Sequence, residues 1–145
     1  MAGVSSTQPT QRVAFSRLLW AGPLAIIAAA IANVLIQQIA VAVLRPNPQF
    51  LPLTPGATIF FTVVGVLGAV IVYGLVGRFS RRPVWLFKRI ALVALIISFI
   101  PDIVMLITGF NPGTTAANVA VLIVMHIVAW AIAVGILTRL ASTEG

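Results

Sequence analysis

The sequence is poor in the residues on which most enzyme and metal sites depend. It contains no cysteine, which excludes disulfides, thiol chemistry and cysteine-ligated metals. Only two residues are acidic and only one is histidine, so the chain offers neither a set of metal ligands nor a pair of catalytic carboxylates. Walker, dinucleotide-binding, zinc-protease and serine-hydrolase motifs are missing from the sequence. We therefore predict that the protein is not an enzyme and uses neither a metal nor a cofactor.

Charge is also scarce, at 8% of the 145 residues, whereas 61% are hydrophobic and the mean hydropathy is +1.15. Roughly a quarter of the residues of a soluble domain are charged, so this composition indicates a membrane protein. The hydrophobic residues fall into four runs, each near or above the ~20 residues that cross a ~30 Å hydrocarbon core. We predict an all-α, four-transmembrane-helix bundle in one membrane domain (1–145), with a disordered tail at 1–14 and helices at about 15–44, 57–77, 84–108 and 116–140.

The basic residues are distributed unevenly among the ends of these helices. Arg45 stands alone on one side of four spans, and eight basic residues fall on the other: Arg12, Arg17, Arg78, Arg81, Arg82, Lys88, Arg89 and Arg139. Because basic residues collect on the cytoplasmic side, both termini are predicted to be cytoplasmic. The net charge of +7 therefore has a topological explanation, and nucleic acid is not predicted as a partner.

Five of the basic residues fall within 78–89, between the second and third helices: Arg78, Arg81, Arg82, Lys88 and Arg89. These five are candidate contacts for anionic lipid head groups. The alternative explanation is that they only determine topology.

The segment 45–56 between the first two helices is rich in proline, which removes backbone donors and favours an extended loop over a strand. Three apolar residues in it, Phe50, Leu51 and Leu53, give the loop an apolar side. This side is predicted either to lie on the membrane surface or to cap the bundle.

Asp102 is the only acidic residue in the body of the chain, and it lies inside the third apolar run, directly after Pro101. An ionisable group in hydrocarbon costs at least about 2.5–3.5 kcal/mol, so Asp102 needs a partner, a proton or water. Counting residues from the basic ends places Asp102, His126 and Asn33 in one layer, about 20–24 Å along their helices, with Gln37 one turn farther out. Asp102, His126, Asn33 and Gln37 therefore form the candidate intramembrane polar site.

Three interpretations of these residues remain open. A buried Asp102–His126 pair supported by Asn33 and Gln37 would serve as a proton relay or a polar-ligand site. The same side chains would equally form a structural hydrogen-bond cluster that fixes how the helices pair. A third interpretation makes His126 a lone axial ligand of a haem or chlorin, for which a second histidine would have to come from a partner subunit.

Three segments carry a resemblance to a known family. They are Trp20-Ala-Gly22-Pro-Leu-Ala-Ile-Ile-Ala-Ala-Ala-Ile-Ala-Asn33, Arg78-Phe-Ser-Arg-Arg-Pro83 and Met125-His126-Ile-Val-Ala129. Together they resemble a family of small bacterial four-helix membrane proteins known only as a domain of unknown function, over about residues 15–140. The resemblance implies a four-span bundle in the bacterial cytoplasmic (inner) membrane, and it implies no activity.

We predict a multi-pass membrane protein that acts as a non-enzymatic interaction or accessory subunit. The alternative is a small-molecule or proton carrier that uses the buried Asp and His. The lipid bilayer and its anionic head groups are the predicted partners. The sequence leaves open whether the protein forms a homo-oligomer or joins a larger membrane complex.

Overall fold

The computed structural model describes residues 11–144 and consists of four long helices and two short strands. The helices are α1 (Phe15–Leu44), α2 (Pro55–Phe79), α3 (Pro83–Thr108) and α4 (Ala116–Leu140), and the strands are β1 (Gln11–Val13) and β2 (Ser142–Glu144). Within the described residues, all four helices are long and apolar enough to cross a membrane. The predicted all-α bundle of four transmembrane helices is therefore confirmed.

The helix ends follow local signals in the sequence. Pro55 opens α2 and Pro83 opens α3, at positions where the missing N–H has no helical partner to lose, one or two residues before the predicted starts. Thr54 and Thr115 cap α2 and α4, because each hydroxyl accepts a hydrogen bond from a backbone N–H three residues on. α3 ends before Gly109, whose φ of 61° is left-handed.

α1 packs closely against both α2 and α4. Its contact face carries Ala21, Ala25 and Ala29, which are fully buried, because small side chains let helix backbones approach one another. On the other side of the bundle, α3 packs against α4 and α2. α2 and α4 also touch across the centre, so α1 and α3 occupy opposite corners of the bundle.

The two termini meet at one end of the bundle. Gln11 to Val13 pairs antiparallel with Ser142 to Glu144, and Ala14 N donates to Ala141 O at 2.9 Å. The sequence predicted a tail over 1–14, and residues 1–10 of it lie outside the described residues. Residues 11–13 instead form a strand. Its pairing partner lies over a hundred residues away in the sequence, and three residues are too few to show a strand pattern, so the sequence did not predict it. Val13 is buried against Gly77, where no side chain intervenes.

The proline-rich loop covers the opposite end of the bundle. Arg45, with a left-handed φ of 47°, turns the chain out of α1, and a short 3₁₀ helix follows at Leu51–Leu53. Phe50 and Leu53 are buried, whereas Leu51 is exposed. The buried pair packs with apolar residues of α3 and α4, namely Met105, Val119, Leu122 and Met125. The sequence allowed this loop either to lie on the membrane surface or to cap the bundle. In the structure it caps the bundle.

Candidate functional site

The structure brings Asp102 of α3 and His126 of α4 into contact. His126 Nδ1 lies 3.1 Å from Asp102 Oδ2, and the ring of Phe99 meets the imidazole edge-on at 6.3 Å between centroids. Asp102 is 6% exposed and His126 is half-buried. Although the two atoms are close, the ring N–H is poorly aligned with the carboxylate, so neither buried atom has a well-directed hydrogen bond within the described residues. The contact becomes an ion pair when the imidazole is protonated.

Helical spacing aims Asp102 into the bundle. Phe87, Ala91, Asp102 and Met105 lie on the buried face of α3, because their separations of three, four and eleven residues return to the same side of a helix. Pro101 has no N–H, so the helix lacks one internal hydrogen bond directly beside the carboxylate. The apolar run around Asp102 thus carries the carboxyl group inward, and the neighbouring isoleucines face outward.

Asp102 and His126 line a cavity of about 760 Å³, to which all four helices contribute. Most of the wall is apolar. Its side chains with nitrogen or oxygen atoms are Asn33, Thr58, Thr62, Ser98, Asp102, Asn111, His126 and Trp130. A volume of roughly 300–1,000 Å³ with a few polar groups in an apolar wall is typical of small-molecule sites.

The cavity opens on the outer surface of the bundle between α2 and α3. Residues that line it are also exposed on that surface: Phe61, Val64, Gly65 and Gly68 on α2, and Ile90, Ala94 and Pro101 on α3. A Cβ added at Gly65 or Gly68 would meet no atom of the described chain within 4 Å beyond its own helix backbone. Because α2 and α3 are membrane-spanning helices, this mouth faces the region that lipid occupies.

Asn33 lines the same cavity from α1, where it is paired with a residue of α2. Its Nδ2 donates to Thr62 Oγ1 at 2.9 Å, and both side chains are buried. Asn33 and Asp102 thus share the cavity without sharing a hydrogen bond in the described structure. The reason is the order of the helices, because α1 and α3 occupy opposite corners.

Gln37 is separate from the other three predicted residues. Its Nε2 donates to the backbone carbonyl of Leu53 at 2.9 Å, and it lies outside the cavity wall. Leu53 ends the 3₁₀ helix, where carbonyl groups lack partners of their own, so Gln37 holds the capping loop onto α1. In the described structure Gln37 makes a contact to the capping loop, one turn farther out as predicted, and its role in the candidate site stays a prediction.

Two site residues were missed by sequence reasoning. Thr58 and Thr62 are buried on α2 and line the cavity, and Thr62 accepts the hydrogen bond from Asn33. Their spacing of four was the available signal, since it places both hydroxyl groups on one face of α2. That face continues through Gly65 and Ala69, which follow Thr62 at further spacings of three and four residues.

Buried polar atoms without hydrogen-bond partners collect around this cavity. Among the described residues, seven buried side-chain nitrogen or oxygen atoms lack a partner, and five of them belong to residues that line the cavity. These five atoms are Asn33 Oδ1, Thr58 Oγ1, Asp102 Oδ2, His126 Nδ1 and Trp130 Nε1. Such an atom costs about 1–3 kcal/mol when it is left unsatisfied, so the residues of this cavity wall carry unsatisfied polar atoms at or just behind its surface.

The five candidate head-group residues divide into two groups. Arg78, Arg81 and Arg82 lie at the end of α2 and in the turn that follows, whereas Lys88 and Arg89 lie in the first two turns of α3. All five are exposed. Lys88 and Arg89 border a groove that they share with Trp85.

No group of three or more His, Asp or Glu side chains in the described part of the chain is arranged to hold a metal ion. The hypothesis that His126 is an axial haem ligand stays a prediction, because it depends on a residue from another chain.

Neither the curated proteins nor the solved structures contain a match to the chain. A family model, in contrast, matches residues 13–143, a span that includes all four helices, the cavity and both groups of basic residues. The match agrees with the resemblance that the segments around Asn33, Arg78 and His126 carry. The chain therefore belongs to the family of unknown function DUF6069.

Proposed function

We propose that this protein is a non-enzymatic multi-pass membrane protein that binds an amphipathic small molecule from the bilayer in the cavity between α2 and α3. The observation that carries the proposal is the clustering of unpartnered buried polar atoms around a single lipid-facing cavity. This is the small-molecule form of the alternative that the sequence leaves open. The polar end of the site is the Asp102–His126 pair.

The polar atoms define one end of the ligand. Asp102 Oδ2 and Thr58 Oγ1 can accept hydrogen bonds, and a protonated His126 Nδ1, which lies 3.1 Å from Asp102 Oδ2, can donate one. A head group that carries both donors and acceptors would satisfy these atoms together. Each satisfied atom recovers part of a penalty of about 1–3 kcal/mol.

The rest of the wall defines the other end of the ligand. Apolar side chains form most of it, and the glycines at the mouth leave room for a bulky apolar group beside α2. Since the mouth lies between two membrane-spanning helices, the ligand enters sideways from the lipid phase. The ligand class is therefore a membrane-soluble amphiphile with a small polar head.

The test is to purify the protein from its host membrane into lipid nanodiscs and to analyse the bound organic fraction by mass spectrometry. We expect a small amphiphile that is retained by the wild-type protein and lost from Asp102→Asn. Water alone in the cavity, with no molecule retained by the wild-type protein, would contradict the proposal.

The interaction or accessory-subunit role is the second candidate, and one observation favours it. The exposed Gly65 and Gly68 on α2 would let a second helix approach closely. If the protein has this role, a crosslinker placed at Gly65 of α2 should capture another chain or a second copy in the membrane.

Proton carriage is tested separately by measuring proton flux into liposomes that contain the wild-type protein. The absence of any proton flux would rule out a proton carrier.

We place the protein in the bacterial cytoplasmic membrane with both termini cytoplasmic. The distribution of eight basic residues against one supports this orientation, and so does the pairing of β1 with β2, which brings residues 11–13 and 142–144 to one end of the bundle. The family resemblance supports a bacterial origin.

A further inference from the structure

A second concave surface lies between α3 and α4, near the end of the bundle where the termini meet. It is a groove of about 450 Å³, lined by Trp85, Lys88, Arg89, Leu92, Trp130 and Val134. Trp85, Lys88, Arg89 and Leu92 follow the spacing i, i+3, i+4 and i+7, which places them on one face of α3. Trp130 and Val134 face them from α4.

The basic side of this groove is held in place by an aromatic ring. The Arg89 guanidinium carbon lies 4.9 Å from the centroid of the Trp85 ring, which is a cation–π contact. Stacking limits the positions that the long Arg89 side chain can adopt. The guanidinium is therefore partly ordered before any ligand arrives, so less side-chain entropy is lost when one binds.

Among the described side chains, neither Lys88 nor Arg89 has a carboxylate within salt-bridge distance. The close contact between oppositely charged side-chain types in the described residues is His126 with Asp102, and Asp102 lies thirteen residues from Arg89, about 20 Å along α3. An anion that enters the groove meets two cations and no described carboxylate. Trp130 and Val134 border both this groove and the cavity, and the indole N–H of Trp130 is buried without a hydrogen-bond partner in the described residues.

The other half of the groove is apolar. Leu92 lies one turn farther from the basic end than Arg89. Because α4 runs antiparallel to α3, Trp130 is the α4 wall residue level with Leu92, and Val134 lies one turn nearer the basic end. Tryptophan and basic side chains are typical of the boundary between head groups and acyl chains. A ligand with an anionic head and an apolar chain matches both halves, whereas a free phosphate ion matches only one.

We propose that this groove binds an anionic phospholipid, with its phosphodiester between Lys88 and Arg89 and an acyl chain along Leu92 and Trp130. The groove shares Trp130 and Val134 with the cavity wall, whereas Lys88 and Arg89 line the groove and not the cavity. This proposal reduces the five candidate head-group contacts to two, Lys88 and Arg89. Arg78, Arg81 and Arg82 act instead as exposed charges that set orientation.

The experiment compares two double variants with the same charge change. Lys88→Gln/Arg89→Gln removes both cations of the groove, and Arg81→Gln/Arg82→Gln removes two exposed cations of the same basic segment. Retention of phosphatidylglycerol and of phosphatidylcholine by the purified protein is measured by native mass spectrometry. Two lost contacts should weaken phosphatidylglycerol binding about 10-fold or more in the groove variant, and the control should stay within about 3-fold of wild type.

A second readout locates the lipid. In a Trp20→Phe background, brominated phosphatidylglycerol should quench Trp85 and Trp130 more strongly than brominated phosphatidylcholine does, and Lys88→Gln/Arg89→Gln should remove the difference. Inorganic phosphate should not displace the lipid. Equal losses in the two double variants, equal binding of the two lipids, or displacement by phosphate would each overturn the proposal. A charge-preserving Lys88→Arg variant should bind like wild type.

Discussion

His126 Nδ1 lies 3.1 Å from Asp102 Oδ2, so the only intramembrane carboxylate of this chain meets its only histidine across the α3–α4 interface. The pair stands at the wall of a cavity that also exposes Asn33 and Thr62 from the other two helices. A contact of this kind within a membrane holds two helices together and also presents polar atoms to whatever occupies the cavity.

The energy of the Asp102–His126 contact is measurable by a double-mutant cycle. Asp102→Asn and His126→Gln each keep the approximate size of the side chain and remove the charged contact. We expect each to lower the unfolding free energy in detergent by about 1–3 kcal/mol, with a coupling energy of about 0.5–2 kcal/mol. Additive effects of the two substitutions would show that the contact contributes nothing to helix pairing.

Filling the mouth of the cavity should block ligand entry without unfolding the protein. Gly68→Leu adds a side chain where the described chain leaves open space, and Gly135→Leu makes the same change in α4, also in open space and outside the cavity wall. We expect the molecule retained by the wild-type protein to fall at least tenfold in Gly68→Leu, equivalent to about 1.4 kcal/mol. Gly135→Leu should retain it, and equal retention by both variants would contradict a lateral entrance between α2 and α3.

Gln37 should affect stability and leave ligand binding unchanged. Gln37→Met removes the hydrogen bond to the Leu53 carbonyl, and the neighbouring Gln38→Met is the matched control because Gln38 is exposed. We expect a loss of about 1 kcal/mol for Gln37→Met and less than about 0.5 kcal/mol for Gln38→Met in chemical or thermal unfolding. A loss of retained ligand in Gln37→Met would return Gln37 to the site.

Topology is open to a direct test because the chain has no cysteine. Asn47→Cys lies in the capping loop and Arg81→Cys in the α2–α3 turn, and both positions are exposed. In intact cells, an impermeant maleimide should label Asn47→Cys and leave Arg81→Cys unlabelled until the membrane is opened. The reverse pattern would invert the orientation that the basic residues predict.

Much of the candidate site could be predicted from the sequence because its residues lie on regular helices. Counting 1.5 Å per residue from the basic ends placed Asp102 and His126 at one depth, and helical periodicity placed both on packed faces. The same count could not decide the partners of Asn33 and Gln37. Asn33 meets Thr62 because α2, not α3, is the neighbour of α1 there, and Gln37 meets a loop carbonyl whose position depends on the fold of 45–54.

The sequence by itself determined that this chain has four membrane-spanning helices and, to within two residues, where each begins and ends. These properties depend on the hydropathy of consecutive residues and on local caps such as Pro55 and Thr115, so no distant contact is needed to establish them. Only the tertiary structure decided the order of helices around the bundle, the width of the cavity beside Gly65 and the pairing of β1 with β2. Those features arise from packing between segments far apart in the chain, where many pairings share the same apolar surface and shape complementarity selects one.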